Sequence, residues 1–313
     1  MSSTPAQART WRPGRPCPVP AILGRHRRGG GDPTYRIDAR GAHWRGLRTP
    51  EGPATLRIEA RSGEGEVYAE AWGAGARWAL DSVPDLLGAA DDVSGFEPLH
   101  PLLVEAWRRH GHWRLGRSGL VMESLVPAIL EQRVTGQEAF AGFRMLVHRY
   151  GERAPGPGPE LRLWVQPGAD SLRAIPSWEW LRMHVDPARS RAVVTAARVA
   201  ESLERTLDVP HEEADRRLRS LPGIGVWTSA EARARAHGDP DAVSFGDYHV
   251  AKDIGWALAG RPFDDVELEA FLEPWRGHRG RVQALVGLAG MHRPRRGPRM
   301  SPRTHLPARV TRT

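Results

Sequence analysis

The sequence predicts an α+β protein, with a small antiparallel β-sheet near the N-terminus followed by a mostly α-helical region. Three observations carry this. Apolar and polar residues alternate between residues 35 and 80, apolar spacing becomes helical from Pro101 onward, and a glycine-rich turn, LPGIGVWTS at 221–229, separates two helical stretches. At 313 residues and 40% hydrophobic content, the chain can bury a substantial core and has a length suited to about two domains.

Residues 1–32 place Arg9, Arg12, Arg15, Arg25, Arg27 and Arg28 among Pro and Gly without apolar periodicity, and read as a disordered basic arm. A small α+β domain is expected over 33–98. There Leu56, Ile58 and Ala60 face one way and Thr55, Arg57 and Glu59 the other. After a turn at 62–65, Tyr68, Glu70 and Trp72 oppose Val67, Ala69 and Ala71, which makes an antiparallel hairpin.

The helical domain is expected over 99–291. Thr135 and Glu138 form a capping box ahead of an apolar face from Ala139 to Tyr150, and Gly151 ends that helix. The Pro- and Gly-rich segment 153–166 reads as a loop. Asp186 and Pro187 then start a helix expected to run through Glu204. A second basic tail, with seven arginines and no acid, is expected over 292–313.

Composition narrows the chemistry. Cys17 is the only cysteine, which excludes an intrachain disulfide, a thiolate zinc site and a four-cysteine iron–sulfur cluster. The thirteen His are scattered, so no metal and no cofactor is expected. No run of about eighteen apolar residues and no signal-like stretch is present, so a soluble, cytoplasmic protein without membrane contact is expected. A formal net charge of +8 suits a polyanionic partner.

The turn at 221–225 lies between helices expected over 212–220 and 226–237, as a helix-hairpin-helix. Gly223 and Gly225 permit a tight turn with exposed N–H groups, and the following helix adds its positive end, so a phosphate can be held around Gly223, Ile224, Gly225 and Thr228. Twenty residues on comes Val243-Ser244-Phe245-Gly246-Asp247-Tyr248.

With these two segments the sequence resembles the helix-hairpin-helix DNA glycosylase superfamily, and within it the bacterial 3-methyladenine DNA glycosylases of the alkylation-repair type. The resemblance spans about 35–290, including the LVPAILEQRVTGQEA segment and the PWR motif at Pro274–Trp275–Arg276. It implies an N-terminal domain like half of a TATA-binding-protein fold. It also implies a base-excision-repair enzyme that binds double-stranded DNA with damaged bases, associated with the nucleoid.

Cleaving an N-glycosidic bond builds positive charge on the sugar, and a carboxylate beside the anomeric carbon stabilises it. Asp247 is the candidate, acting electrostatically or as base to water; the alternative is an N-cap for a helix starting near Tyr248. In relatives that also nick the backbone, the resemblance places a lysine where this chain has Trp227. Lys252 is the only lysine here, so hydrolysis without lyase chemistry is expected. Trp227 and Tyr248 are candidate walls for a flipped base, with core packing the other reading for Trp227.

Glu231 stands where broad-specificity relatives carry a further aromatic, and is read as a hydrogen-bond partner to the base, a counter-charge or an exposed helix residue. Gln132 and Arg133 match the position from which relatives fill the gap left by the flipped base. The main expectation is therefore a monofunctional, monomeric glycosylase acting on an alkylated purine. The alternatives are a damaged-DNA-binding protein without turnover, and a mismatch adenine glycosylase or lyase, which the missing cysteine cluster and lysine oppose.

Overall fold

A computed structural model describes residues 6–61 and 63–294. Its first layer is a five-stranded antiparallel sheet of β1 (Gln7–Trp11), β2 (Tyr35–Ile37), β3 (His43–Thr49), β4 (Gly52–Arg61) and β5 (Glu66–Trp72), in the order β1-β5-β4-β3-β2. The register sets Leu56 against Ala71 and Ile58 against Ala69, so the alternating apolar residues share one face. That face is covered by α1 (Val19–Leu23), α2 (Ala76–Asp81) and α3 (Val83–Leu86), which complete a buried core with Val19, Ile22, Leu23, Ala79 and Leu86. Ala60, expected to face inward, lies exposed near the turn.

The expected disordered arm over 1–32 is corrected from Gln7 onward. β1 pairs with β5 along its whole length, and Val19, Ile22 and Leu23 are fully buried. Arg9 pairs with Asp81, Arg12 with Glu66, and Arg15 donates to the carbonyls of Leu87 and His112. The arginines that read as a solvated run thus bind partners distant in sequence. Of the expected tail over 292–313, residues 295–313 lie outside the described residues.

The helices follow as α4 (Pro101–His110), α5 (Val121–Leu130), α6 (Gly136–Tyr150), α7 (Ala169–Ala174), α8 (Ser177–Arg182), α9 (Pro187–Arg198), α10 (Ala200–Glu204), α11 (His211–Arg219), α12 (Val226–Ala236), α13 (Val250–Ala259), α14 (Asp265–Leu272) and α15 (Arg279–Leu288). The capping box at Thr135 and Glu138 is present, and Asp186 accepts N–H bonds from Ala188 and Arg189 at the start of α9. The helix expected through Glu204 breaks at Val199. The loop at 153–166 is bracketed by a short antiparallel pair, β6 (Glu152–Arg153) with β7 (Trp164–Val165).

Two helical cores result. One joins α5, α6, α9 and the hairpin helices; the other joins Phe96, Leu103 and Ala106 to α13–α15. Among the described residues no helix is long and apolar enough to cross a membrane.

Buried histidine makes the fold acid-sensitive. His237 meets the Thr206 hydroxyl through Nε2 at 2.9 Å and has no hydrogen-bond partner at Nδ1 among the described residues; burial, followed by His211 and Arg233, pushes its pKa down to about 4. The unfolded imidazole takes up a proton near 6.5 while the folded one stays neutral. The stability is therefore full above pH 6.5 and is lost as pH falls toward 4, by roughly 3 kcal/mol from this group. Thermal melts from pH 7 to pH 4 should show the midpoint falling, less steeply in His237→Gln.

Candidate active site

The hairpin between α11 and α12 is fixed by one glycine and one buried isoleucine. Gly223 has φ +90°, and a Cβ there would lie 2.8 Å from the Cβ of Ala192 on α9. Ile224, 5% exposed, plugs the turn into the core. Gly225 differs from the sequence expectation: its backbone is extended (φ −93°, ψ −178°), a conformation open to any residue, and a Cβ there meets nothing within 4 Å. Its lack of a side chain leaves the start of α12 bare. No side chain caps that end and no acid occupies its first turn, so the leading N–H groups and the helix dipole face outward.

Gln132, just past α5, braces this loop. Its Nε2 donates to the Gly223 carbonyl and to the Thr228 hydroxyl, both at 2.8 Å. Thr228 is itself buried, so its hydroxyl serves the brace. Arg133 is exposed with φ +55°, a left-handed backbone that costs a non-glycine residue about 1 kcal/mol or more.

The loop before α13 carries Asp247. Gly246, at φ +87°, donates its N–H to Asp265 at 3.0 Å, and Asp247 donates its own N–H to the Ser244 carbonyl at 3.1 Å. One carboxylate oxygen, Oδ1, accepts from the N–H groups of His249 (2.7 Å) and Val250 (3.1 Å). Asp247 therefore does cap a helix, though α13 starts at Val250 rather than at Tyr248. Its Oδ2 has no hydrogen-bond partner among the described residues. One oxygen is held and the other is available.

Trp227 is half-buried on the first turn of α12, and its Cβ is 3.9 Å from the position a Gly246 Cβ would take. The structure thus brings the hairpin helix against the aspartate loop. Tyr248 stands apart: it is 70% exposed, with the Lys252 ammonium 3.6 Å from its ring centroid and His249 edge-on. Trp275 is buried and donates to the Glu97 carbonyl, while Arg276 pairs with Glu273, so the PWR motif packs rather than reaching the site.

No protein-family model and no curated protein matches this chain, but solved structures do. The 3-methyladenine DNA-glycosylase from Archaeoglobus fulgidus superposes with TM-score 0.74 at 17% identity, over 88% of this chain and 97% of that one. The 8-oxoguanine glycosylase/lyase of Clostridium acetobutylicum gives 0.67 in its apo form (11% identity, 92% and 99% covered). With DNA containing cytosine opposite 8-oxoguanine it gives 0.67 again (12%, 93% and 98%). The fold is that of the helix-hairpin-helix DNA glycosylases.

Within this glycosylase fold, a charged cluster lies behind the aspartate loop. Glu231, one turn beyond Trp227, pairs with Arg235 at 2.5 Å and accepts from the Ser244 hydroxyl at 2.5 Å, which overturns the exposed-helix reading. Gln283 of α15 accepts from the Ser244 N–H (3.0 Å) and donates to its hydroxyl (3.1 Å), so three elements converge on Ser244. A cavity of about 290 Å³ lies here, lined by Arg25, Trp113, Glu231, Arg235, Ser244 and Gln283 among others.

The sequence reading missed Arg25, His26 and Arg28, which the 1–32 segment delivers into this cluster. Arg25 Nη1, His26 Nε2 and Arg28 Nε are buried without a hydrogen-bond partner among the described residues. Burial, then Arg235, pulls the Arg25 guanidinium down to about 9, and burial together with the neighbouring arginines holds His26 well below its ordinary value. Glu131 is raised by burial, against the pull of Arg28 and Arg235, with Glu231 and Asp247 adding to the rise. The signal was present as Gly24-Arg25-His26-Arg27-Arg28 directly after the apolar Val19–Leu23.

Proposed function

We propose that the protein is a DNA glycosylase of base excision repair without lyase activity, working on duplex DNA as a monomer. The observation that carries this is Asp247, with Oδ1 tied to α13 and Oδ2 unbonded, set against the first turn of the hairpin helix. A phosphate held at the bare start of α12 positions the backbone, and a flipped nucleotide then presents its anomeric carbon to Oδ2. As the C1′–N bond lengthens, the carboxylate stabilises the positive sugar, and water supplies the hydroxyl that replaces the base. Trp227 supports hydrolysis over Schiff-base chemistry, because it holds the place expected for an amine. Arg133 is suited to contact the gap or the adjacent phosphates.

The sequence-derived substrate is an alkylated purine, for which the half-buried Trp227 ring provides one electron-rich wall. The test is incubation with duplexes each carrying a single damaged base. Free base should appear, strands should stay intact until alkali is added, and borohydride should trap no protein–DNA adduct. Binding without release of any base would favour the non-catalytic alternative.

The hairpin has its own test. In Gly225→Val the backbone is unstrained and the side chain enters open space, so the melting midpoint should hold while a β-branched group blocks the phosphate. Affinity for every duplex sequence should fall roughly tenfold or more, the worth of hydrogen bonds to a charged group, with a shallower salt dependence. Filter binding across salt concentrations measures both; unchanged affinity would make the motif a turn only.

A further inference from the structure

A second concave site lies away from the aspartate loop, and nothing in it depends on the glycosylase reading. It is a recess of about 590 Å³ lined by Arg36 of the edge strand β2, Arg144 and His148 of α6, Arg153 of β6, Trp164 of β7 and Arg162 of the loop between those two strands. Arg144 and His148 stand about 12 and 18 Å along α6 from Gly136, at a rise of about 1.5 Å per residue. Gln132, which braces the hairpin, lies before that helix starts.

Among the described residues, four arginines and a histidine line this recess and no acid does. The acids adjacent in sequence to lining residues are engaged elsewhere or outside the lining: Asp32 accepts from Arg28 and Thr34, Glu152 pairs with Arg48, and Glu160 is exposed. Arg36 donates to the carbonyls of Asp32, Tyr35 and Arg162. Arg144, Arg153 and Arg162 differ, since none of their guanidinium groups has a hydrogen bond or an ion pair among the described residues. On other surfaces of the chain arginines pair with acids three residues away, as at Arg108, Arg216 and Arg276, so the lack here is local. The Arg153 guanidinium sits 4.2 Å from the Trp164 ring centroid, with His148 edge-on to the same ring, and is held there without using its N–H groups. Gly31 leaves Arg144 its place, because a Cβ there would lie 3.2 Å from Arg144 Cδ and Nη1. Arg162 sits at φ +52°, a left-handed backbone uncommon outside glycine.

Like charges gathered in one recess repel until an anion joins them. We propose that this recess binds a terminal phosphate, free or on a monoester of nucleotide size, with Arg144, Arg153 and Arg162 as its donors. Guanidinium forks match phosphate oxygens two at a time. Near neutral pH a terminal phosphate carries close to two charges, against one for a phosphodiester. It can also enter a recess, whereas a duplex shows its diesters on a convex surface. The volume falls within the ligand-pocket range of about 300–1,000 Å³ and exceeds what a phosphate alone fills.

The test is thermal melting of the full chain in chloride at fixed ionic strength, with inorganic phosphate, deoxyadenosine 5′-monophosphate or deoxyadenosine added. Both phosphate probes should raise the wild-type midpoint saturably by about 2 °C or more, and the nucleoside should not. Arg144→Gln/Arg162→Gln keeps the side-chain stems and removes two charges. In chloride alone it should melt at or above the wild-type midpoint, since repulsion is relieved, and it should lose the saturable rise. Arg162→Gly, whose left-handed backbone suits glycine, covers the case where the double variant folds poorly; its half-saturating phosphate concentration should rise about tenfold. Gly225→Val, altered at the hairpin, should keep the rise. An equal rise in wild type, the double variant and Arg162→Gly would mean only ion exclusion from the surface and overturns the inference. A rise lost in Gly225→Val, or no rise with either phosphate probe, overturns it as well. Base release by the double variant should match wild type, so the glycosylase reading stands or falls separately.

Discussion

Asp247→Asn should slow base release at least about 10²-fold, in line with losing one preorganised electrostatic group at a reacting centre, while duplex affinity and melting midpoint stay near wild type. The separation is possible because the two oxygens of Asp247 do different work. Oδ1 caps α13 through His249 and Val250, and an asparagine carbonyl caps a helix about as well. Oδ2 has no hydrogen-bond partner among the described residues, and the substitution removes the negative charge while leaving the cap in place. Asp247→Ala should lose activity equally and also about 1 kcal/mol of stability with the cap. Single-turnover release assays beside thermal melts of the three proteins measure this. An Asp247→Asn variant as active as wild type would reduce Asp247 to a cap and leave a DNA-binding protein without turnover.

How much of this was legible in the sequence depended on the range of the interactions. The capping box at Thr135 and Glu138, the Asp186 cap and the turn at Gly223 are decided within a few residues, and the structure contains them where local chemistry puts them. Tyr248 is a candidate pocket wall in the sequence because it is an aromatic residue in the aspartate segment. The competing signal, Lys252 four residues later, was visible, and the structure places its ammonium over the ring. Residues 7–28 were misread for a different reason. β1 pairs with a strand about sixty residues away, and Arg25 and Arg28 are buried against α5 and α12, so nothing in their neighbourhood distinguishes them from solvated charges. The candidate chemistry was legible because it rides on a local motif. The wall of the cavity behind the aspartate loop was not, because it is assembled from α12, α15 and the N-terminal segment together.

That assembly depends on a buried ion pair, and breaking it is the second large effect expected. Arg281, at 0% exposure, grips Asp91, at 1%, with both carboxylate oxygens engaged at 2.6 and 2.9 Å; Asp91 also accepts the Leu115 N–H at 2.8 Å. Arg281→Met fills much of the same space but leaves Asp91 buried and charged, and should cost about 3–5 kcal/mol of unfolding free energy. The Asp91→Asn/Arg281→Met double variant removes the stranded charge, keeps an acceptor for Leu115, and should recover most of that loss, since a buried pair contributes little beyond what apolar packing would. Activity should follow the same order. α15 begins at this pair and, two residues on, holds Gln283 against Ser244, whose carbonyl takes the Asp247 N–H. A loosened α15 shifts the aspartate loop and the cavity wall at once, so base release in Arg281→Met should fall at temperatures where the protein is still folded and return in the double variant. Denaturant titration and release assays on the same three preparations separate the two effects. Full activity in folded Arg281→Met would show that α15 is held without the pair.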